Sequence, residues 1–380
     1  MNQSLNTRLF FIDNLRWLMI IFVVMMHVNV TYSMIGGWYY IEEAQLDLFQ
    51  ILYFGMYGSF TQAYFMGLLF FIAGYFVPAS YNRKGFGLFT KERSIRLGIP
   101  SLIYMLIIHP VCIIILNHYQ KWNLDIPELY LNNIRTFSFL DDTGPMWFAL
   151  ALLIFSLVYA LTRKLGLGAE TVAKKNPVNS KQILAAALFI SVFTFGTRIL
   201  FPIGTNIFNF QLCFFPQYIV LFILGIIFSR RKLMLNLPYR LGMNWFKLTL
   251  IIGIPVWLLI MIFGEAATQG FEAFEGHFSW QSAAYSFWES FFCVGICSGL
   301  IVLFREKVNT QGRISKFLSA NAFGVYVFHA PILIFISMLF KDTDMYPFFK
   351  YLLVAIITLP ASFTVSYLVR RIPGVSYIIK

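Results

Sequence analysis

Charge is what this chain has least of. Lys, Arg, Asp and Glu make up 12% of its 380 residues, against about 25% in an ordinary soluble domain. That scarcity excludes a conventional soluble fold. Cysteine is scarce too: Cys112, Cys213, Cys293 and Cys297 all fall inside apolar runs. Cys293 and Cys297 stand one helical turn apart, but two thiols make neither a metal site nor a disulfide framework. The four read as small core hydrophobes, and no metal is expected. Also missing are a P-loop, a GxSxG elbow, an HExxH pair and a Gly-rich dinucleotide fingerprint. Without them a soluble hydrolase or ATPase has no support. No small-residue cleavage site follows the first apolar run, so that run reads as a retained span. No soluble domain and no clear internal repeat interrupts the pattern. The chain reads as one integral membrane domain over 1–380.

What is present is hydrocarbon. Hydrophobic residues reach 59%, mean hydropathy is +0.71, and there are 43 Phe and 20 Tyr, as lipid-facing helices and interfacial belts require. Ten runs are long enough to cross a bilayer: about 15–35, 59–81, 97–117, 144–163, 183–201, 210–229, 246–264, 282–304, 320–340 and 347–370. The expected fold is an all-α polytopic membrane protein. Segment 46–58 reads either as an interfacial helix or as an extension of the second span. With the N-terminus placed inside, 24 of the 29 Lys and Arg fall in cytoplasmic segments and 12 of the 17 acids fall outside. The positive-inside rule therefore expects both termini in the cytoplasm. The net charge of +12 follows from topology and membrane lipid, and no nucleic-acid partner is needed. Residues 164–182 read as a flexible cytoplasmic linker.

Ionisable groups inside apolar runs are costly and mark candidate sites. The first run, FIDNLRWLMIIFVVMMHV, carries Asp13, Arg16 and His27. His27 lies eleven residues beyond Arg16, about 16 Å along a helix and close to three whole turns, so the two share a face. A neutral imidazole at that depth accepts a proton from a hydroxyl near neutral pH. The bland alternative is a satisfied core histidine. Arg93 and Arg96 in RSIRLGIP sit on one helical face at the membrane edge. They read as a phosphate-binding fork or as plain positive-inside anchors. His329, in YVFHAPI, lies at a depth similar to His27, and Pro331 frees a carbonyl beside it. His329 either faces a cavity shared with His27 or caps that carbonyl. Glu289 and Arg198 either pair structurally or line an outer vestibule. Trp147 opens its span as an interfacial anchor or as part of the vestibule. His109 is a weaker candidate. Asp141 and Asp142 read as solvated loop acids or as contacts for a polar substrate, and His118 and His277 as solvated histidines.

With these residues assembled, the chain resembles the acyltransferase type-3 family of bacterial membrane proteins. FIDNLRWLMIIFVVMMHV is similar to the family's acidic–arginine–histidine opening, LLFFIAGYFV (68–77) to its second-span pattern, and RSIRLGIP (93–100) to its Arg-x-x-Arg segment. GPMWFALALL (144–153) is similar to its Trp-Phe segment and YVFHAPI (326–332) to its late His-x-Pro segment. The likeness runs from about 9 to 370, in family order. Asn14 departs from a common glycine, and Ala73 from a frequent serine. The compact members that modify glucans or capsular sugars look nearer than those with an added hydrolase-like domain.

The resemblance implies a transferase of groups other than amino-acyl groups. It would move an acetyl or succinyl group from cytoplasmic acyl-CoA (acetyl-CoA or succinyl-CoA) to a hydroxyl of an extracytoplasmic carbohydrate or glycolipid. It implies His27 as general base or as transient acyl acceptor, Asp13 and Arg16 as groups that position the donor or each other, and Arg93 and Arg96 on the CoA phosphates. It also implies a multi-pass place in the bacterial cytoplasmic membrane. The rival reading is a secondary transporter or exporter of an envelope glycan, with mid-membrane His, Glu and Arg as its substrate or proton site. A third is a silent scaffold.

Overall fold

The structure, a computed structural model, describes residues 8–167 and 177–375. Its α-helices are α1 Phe10–Ser33, α2 Leu48–Arg93, α3 Ile99–Ile103, α4 His109–Gln120, α5 Ile126–Thr136, α6 Trp147–Lys164, α7 Ser180–Leu200, α8 Phe215–Arg230, α9 Leu233–Asn236, α10 Tyr239–Phe263, α11 Ala266–Gln269, α12 Glu272–Glu275, α13 Trp280–Lys307, α14 Arg313–Leu339 and α15 Pro347–Val369. Among the described residues there is no β-strand, only a lone bridge between Ile207 and Phe210. The protein is an all-α polytopic membrane protein. Residues 168–176 of the expected linker over 164–182 lie outside the described residues.

Nine helical segments among the described residues are long and apolar enough to cross a bilayer. One of them, Leu48–Gln120, has 73 residues, about 110 Å of helix against a hydrocarbon core of about 30 Å. It reverses at Gly85, whose φ of 70° and ψ of 175° leave the helical region. On a straight helix, residues eight apart are about 12 Å apart. Here the rings of Tyr81 and Phe89 meet at 5.5 Å between centroids, and Lys84 pairs with Glu92. The segment therefore crosses twice, which makes ten crossings. Asp47 starts α2 with a capping box: its side chain accepts from the Gln50 amide at 2.9 Å, and the Gln50 side chain accepts from the Asp47 amide at 2.9 Å. Helix then runs unbroken from Leu48 into the second span, so 46–58 extends that span.

The returning strand of this hairpin is wound loosely in two places. π-helical turns occupy Ser94–Gly98 and Tyr104–Ile108, ahead of Pro100 and Pro110. Proline has no amide hydrogen and its ring crowds the carbonyl four residues back, so the ladder re-registers there. Such turns displace side chains from the ordinary helical face; these two carry Arg96 and Tyr104.

Small residues set a close helix contact. A Cβ on Gly74 would stand 2.1 Å from the Phe222 carbonyl oxygen, and one on Gly225 would stand 2.1 Å from that of Phe71. α2 and α8 thus meet backbone to backbone, as membrane helices do where packing and not hydrophobicity drives association. α1 packs among α2, α13, α14 and α15, while most of α10 faces outward. Asn14, fully buried, ties α1 to the turn before α14: its amide donates to the carbonyls of Val308 (2.7 Å) and Thr310 (3.0 Å), and its oxygen accepts from Trp17 and Gln311. The departure from glycine at this position therefore has a structural use.

The bundle has two unlike faces. One carries Arg8, Arg16, the Gly85 turn and the 308–312 turn. The other carries the loops 34–47, 121–143, 201–211, 264–279 and 340–346. These loops are cross-linked by Lys350 to Glu42 (2.7 Å), Tyr346 to Asp47 (2.6 Å) and Asn209 to Thr143 (2.8 Å).

Candidate functional site

Two histidines meet inside the bundle. His27 lies 17 residues into α1, about 25 Å from its start and about 9 Å from its end, so it stands nearer the acid-rich face than mid-depth. His329 reaches it from α14. The His329 Nε2 and the His27 Nδ1 are 3.0 Å apart, with ring centroids at 5.0 Å. His329 is fully buried and His27 partly so. The other His329 nitrogen, Nδ1, faces the carbonyls of Tyr326 (2.9 Å) and Val325 (3.2 Å). One nitrogen thus faces carbonyls other than that of Val327, the one Pro331 leaves without an amide partner, and the other meets His27.

These contacts assign the protons. A carbonyl oxygen only accepts, so His329 Nδ1 carries hydrogen. In an uncharged ring its Nε2 is then an acceptor, and His27 Nδ1 must be the donor. That leaves the His27 Nε2 lone pair free. The assignment follows from hydrogen-bond logic, since hydrogens are placed by the network. The arrangement presents one base whose ring is held by a second imidazole, in the manner of any oriented base.

The loop after α1 closes over this pair. The Trp38 indole stacks on His27 at 3.8 Å with 19° between planes, and reaches His329 at 6.2 Å and 11°. Tyr39, the next residue, turns the other way. Its hydroxyl lies 2.9 Å from His109 Nδ1 and 3.1 Å from the Tyr104 hydroxyl. His109 Nε2 lies 3.3 Å from Asp142 Oδ1. His109, a weaker candidate by sequence, and Asp142, read as a solvated acid, therefore sit beside the histidine pair. Burial, reinforced by Asp141, pushes the Asp142 carboxyl up to about 6. Trp38, Tyr39 and Tyr104 were not singled out by sequence; the run of three aromatics after Gly36 and Gly37 was the available signal.

The basic end is separate. Arg93, Arg96, Lys84, Ser80, Phe89 and Glu92 line a cavity of about 100 Å³ in the crook of the Gly85 hairpin. Arg93 also lies over the Phe89 ring at 5.3 Å, and Arg16 and Arg96 are near enough to act on it electrostatically. Arg16 is half exposed, 3.9 Å from Asp13, which is held by Arg8 at 2.7 Å. The expected Asp13, Arg16 and His27 stripe thus splits into a basic-end cluster and a deep base.

Arg198 and Glu289 form an ion pair at 2.5 Å, with side chains 0% and 1% exposed; Arg198 also donates to Ser286 at 3.1 Å. Sealed from solvent, the pair takes the structural alternative and forms no open vestibule lining. Trp147 packs inward, stacked on Tyr218 at 5.7 Å and near Phe70, and so is not an interfacial anchor. His118 and His277 are exposed. Among the described residues no group of His, Cys, Asp and Glu is placed to hold a metal ion.

A family model described as an acyltransferase domain matches residues 9–371 of the chain. No curated protein matches the chain, and no solved structure matches it.

Proposed function

The chain belongs to the acyltransferase type-3 family, and from that premise we propose that this membrane acyltransferase moves an acetyl or succinyl group from acyl-CoA to a hydroxyl of an envelope carbohydrate or glycolipid. The observation that carries the reading is the 3.0 Å contact of His27 with His329, which leaves His27 Nε2 as a free base within a membrane bundle. The acceptor hydroxyl gives its proton to that nitrogen while its oxygen attacks the thioester carbonyl. A C–O bond forms, the C–S bond breaks, and the proton passes from His27 to the departing thiolate. No net proton is released. His329 accepts from the His27 Nδ1–H throughout and steadies the imidazolium.

Arg93 and Arg96 would hold donor phosphates at the hairpin cavity, since guanidinium forks suit phosphate oxygens. Arg16, held by Asp13, adds charge beside them. About 16 Å of helix separates Arg16 from His27, a reach comparable to an extended pantetheine arm. The thioester would thread inward while the nucleotide stays at the basic end. The positive-inside rule supports a cytoplasmic basic face, with the acid-rich face toward the acceptor, in the bacterial cytoplasmic membrane.

The test uses purified full-length protein in detergent with labelled acetyl-CoA. Donor binding that weakens in Arg93→Ala and Arg96→Ala, with turnover lost and binding kept in His27→Ala, is expected. Transport of a labelled glycan with no CoA requirement would overturn the reading.

A further inference from the structure

We propose that Asp142, His109 and Tyr39 form a positioning relay that holds Trp38 against His27. Three stretches distant in sequence converge to build it: the loop after α1, the continuous π-turn and start of α4 that carry Tyr104 and His109, and the loop before α6. The contacts run in one line from Asp142 to His109 to Tyr39, with Tyr104 as a side branch.

The geometry makes Tyr39 the anchor of its neighbour. The Trp38 and Tyr39 rings meet edge to face at 5.1 Å and 83°. Trp38 Nε1 is buried with no hydrogen-bond partner, so the indole has no polar tether of its own. It stacks on His27 on one side and meets the tethered Tyr39 on the other, with the rest of the indole packed against the apolar core. Gly144 makes the tether possible. Its φ is +48°, and a Cβ there would stand 2.7 Å from the Tyr39 hydroxyl and 2.6 Å from that of Tyr104. Glycine two residues after Asp142 lets the loop bring the carboxylate in without striking either phenol.

Tyr39 anchors and does not shuttle protons. Burial holds its phenol protonated far above neutral pH. The proton direction along the line is set at Asp142. When the carboxylate is ionised, His109 Nε2–H donates to it, and His109 Nδ1 accepts from the Tyr39 hydroxyl. When the carboxyl is protonated it donates to His109, and Nδ1–H turns on the Tyr39 oxygen. Other groups bearing on this line are Asp141 on the same loop, Tyr104 and Cys112 from the third span, and Tyr326 from α14 acting on Tyr104. Asn133 on α5 donates to Asp142 Oδ2 at 3.1 Å. Nothing in this constellation touches the reacting atoms, so these are positioning residues.

The proposal rests on the acyl-transfer reading only for its kinetic consequence, and its test is chosen to be independent of turnover. The rate of His27 carbethoxylation by diethyl pyrocarbonate is followed by mass spectrometry on the full chain in detergent. Tyr39→Phe keeps the ring and removes both hydroxyl contacts, to His109 and to Tyr104; this raises His27 labelling about fivefold or more. Asp344→Asn, an acid elsewhere on the same face, leaves it unchanged. Asp142→Ala, which removes the acid that holds His109, raises His27 labelling as well at every pH between about 5 and 7. In transfer assays Tyr39→Phe lowers kcat with the donor KM unchanged. Equal His27 labelling in Tyr39→Phe and the parent overturns the proposal. So does parent-level His27 labelling in Asp142→Ala, should Tyr39→Phe fail to fold. Labelling that responds as stated in a protein with no transferase activity upholds the relay and refutes the acyl-transfer reading.

Discussion

His27 and His329, 302 positions apart in the chain, are joined nitrogen to nitrogen at 3.0 Å. The bond has a direction, because the carbonyls of Val325 and Tyr326 occupy the far nitrogen of His329. In the proposed reaction one imidazole serves as holder and the other as base.

His329→Gln offers an amide oxygen to the His27 Nδ1–H, whereas His329→Ala offers nothing. Transfer by His27→Ala should fall by about 10²–10⁴-fold, the usual worth of a placed base. His329→Ala should fall by about tenfold to a hundredfold, the cost of one or two lost hydrogen-bond contributions of about 1.4 kcal/mol each. His329→Gln should retain more than His329→Ala. Steady-state kcat with labelled acetyl-CoA reads all three, and equal activity in the Gln and Ala variants would contradict the assigned proton direction.

Removing one charged fork from the hairpin cavity costs a charge-assisted contact. Arg93→Ala and Arg96→Ala should each weaken donor binding by about tenfold or more, from about 1.5–3 kcal/mol per such contact. Their kcat should change much less. Calorimetric titration with CoA, and its weakening as salt rises, is the measurement.

The α2–α8 contact leaves no space for a methyl group. Gly74→Ala should destabilise the fold by about 1–3 kcal/mol, because its Cβ would meet a backbone oxygen and not a side chain that can swing away. A lower midpoint in detergent thermal unfolding is expected. Gly87→Ala, where a Cβ meets nothing within 4 Å, should leave the midpoint in place.

Arg198 and Glu289 are buried together, so removing one partner strands the other. Glu289→Ala should lose about 3–5 kcal/mol of stability and sharply reduce folded yield. The protein that does fold should keep its specific activity. A folded Glu289→Ala with normal stability and no transfer would instead assign the pair a chemical task.

Asp142 titrates above its ordinary range, at about 6. The fold therefore favours its protonated form. The resulting stability is fully present below the unfolded-state pKa near 4 and is lost as pH rises through about 6. The thermal midpoint of the parent minus that of Asp142→Asn should fall across that window and level off above it. A difference that stays constant from pH 4 to 7 would be inconsistent with the shift.

The crossings were legible because a bilayer enforces long apolar runs whatever the tertiary contacts. The same runs could not disclose that α2 begins at Leu48, since the Asp47–Gln50 cap is a local event in a segment of mixed polarity. His27 and His329 could be paired on depth alone, because rise per residue converts position into height. His109 and Asp142 could not. Their meeting depends on how the loop before α6 folds back over the third span, and no periodicity encodes that. Arg198 and Glu289 were recognisable as a possible pair, but whether water reached them was a matter of packing. Trp147 was misplaced at the interface because its inward partners, Tyr218 and Phe70, come from other helices.

Asn14 and His27 fasten the same two rods near opposite ends: Asn14 to the turn that leads into α14, His27 to α14 itself. Sliding of one rod along the other by a single helical turn, about 5.4 Å, would carry the imidazole contact beyond hydrogen-bonding reach. The pin at one membrane surface thus keeps the base in register near the other, so a substitution at Asn14 should be felt as a misaligned imidazole some 20 Å away.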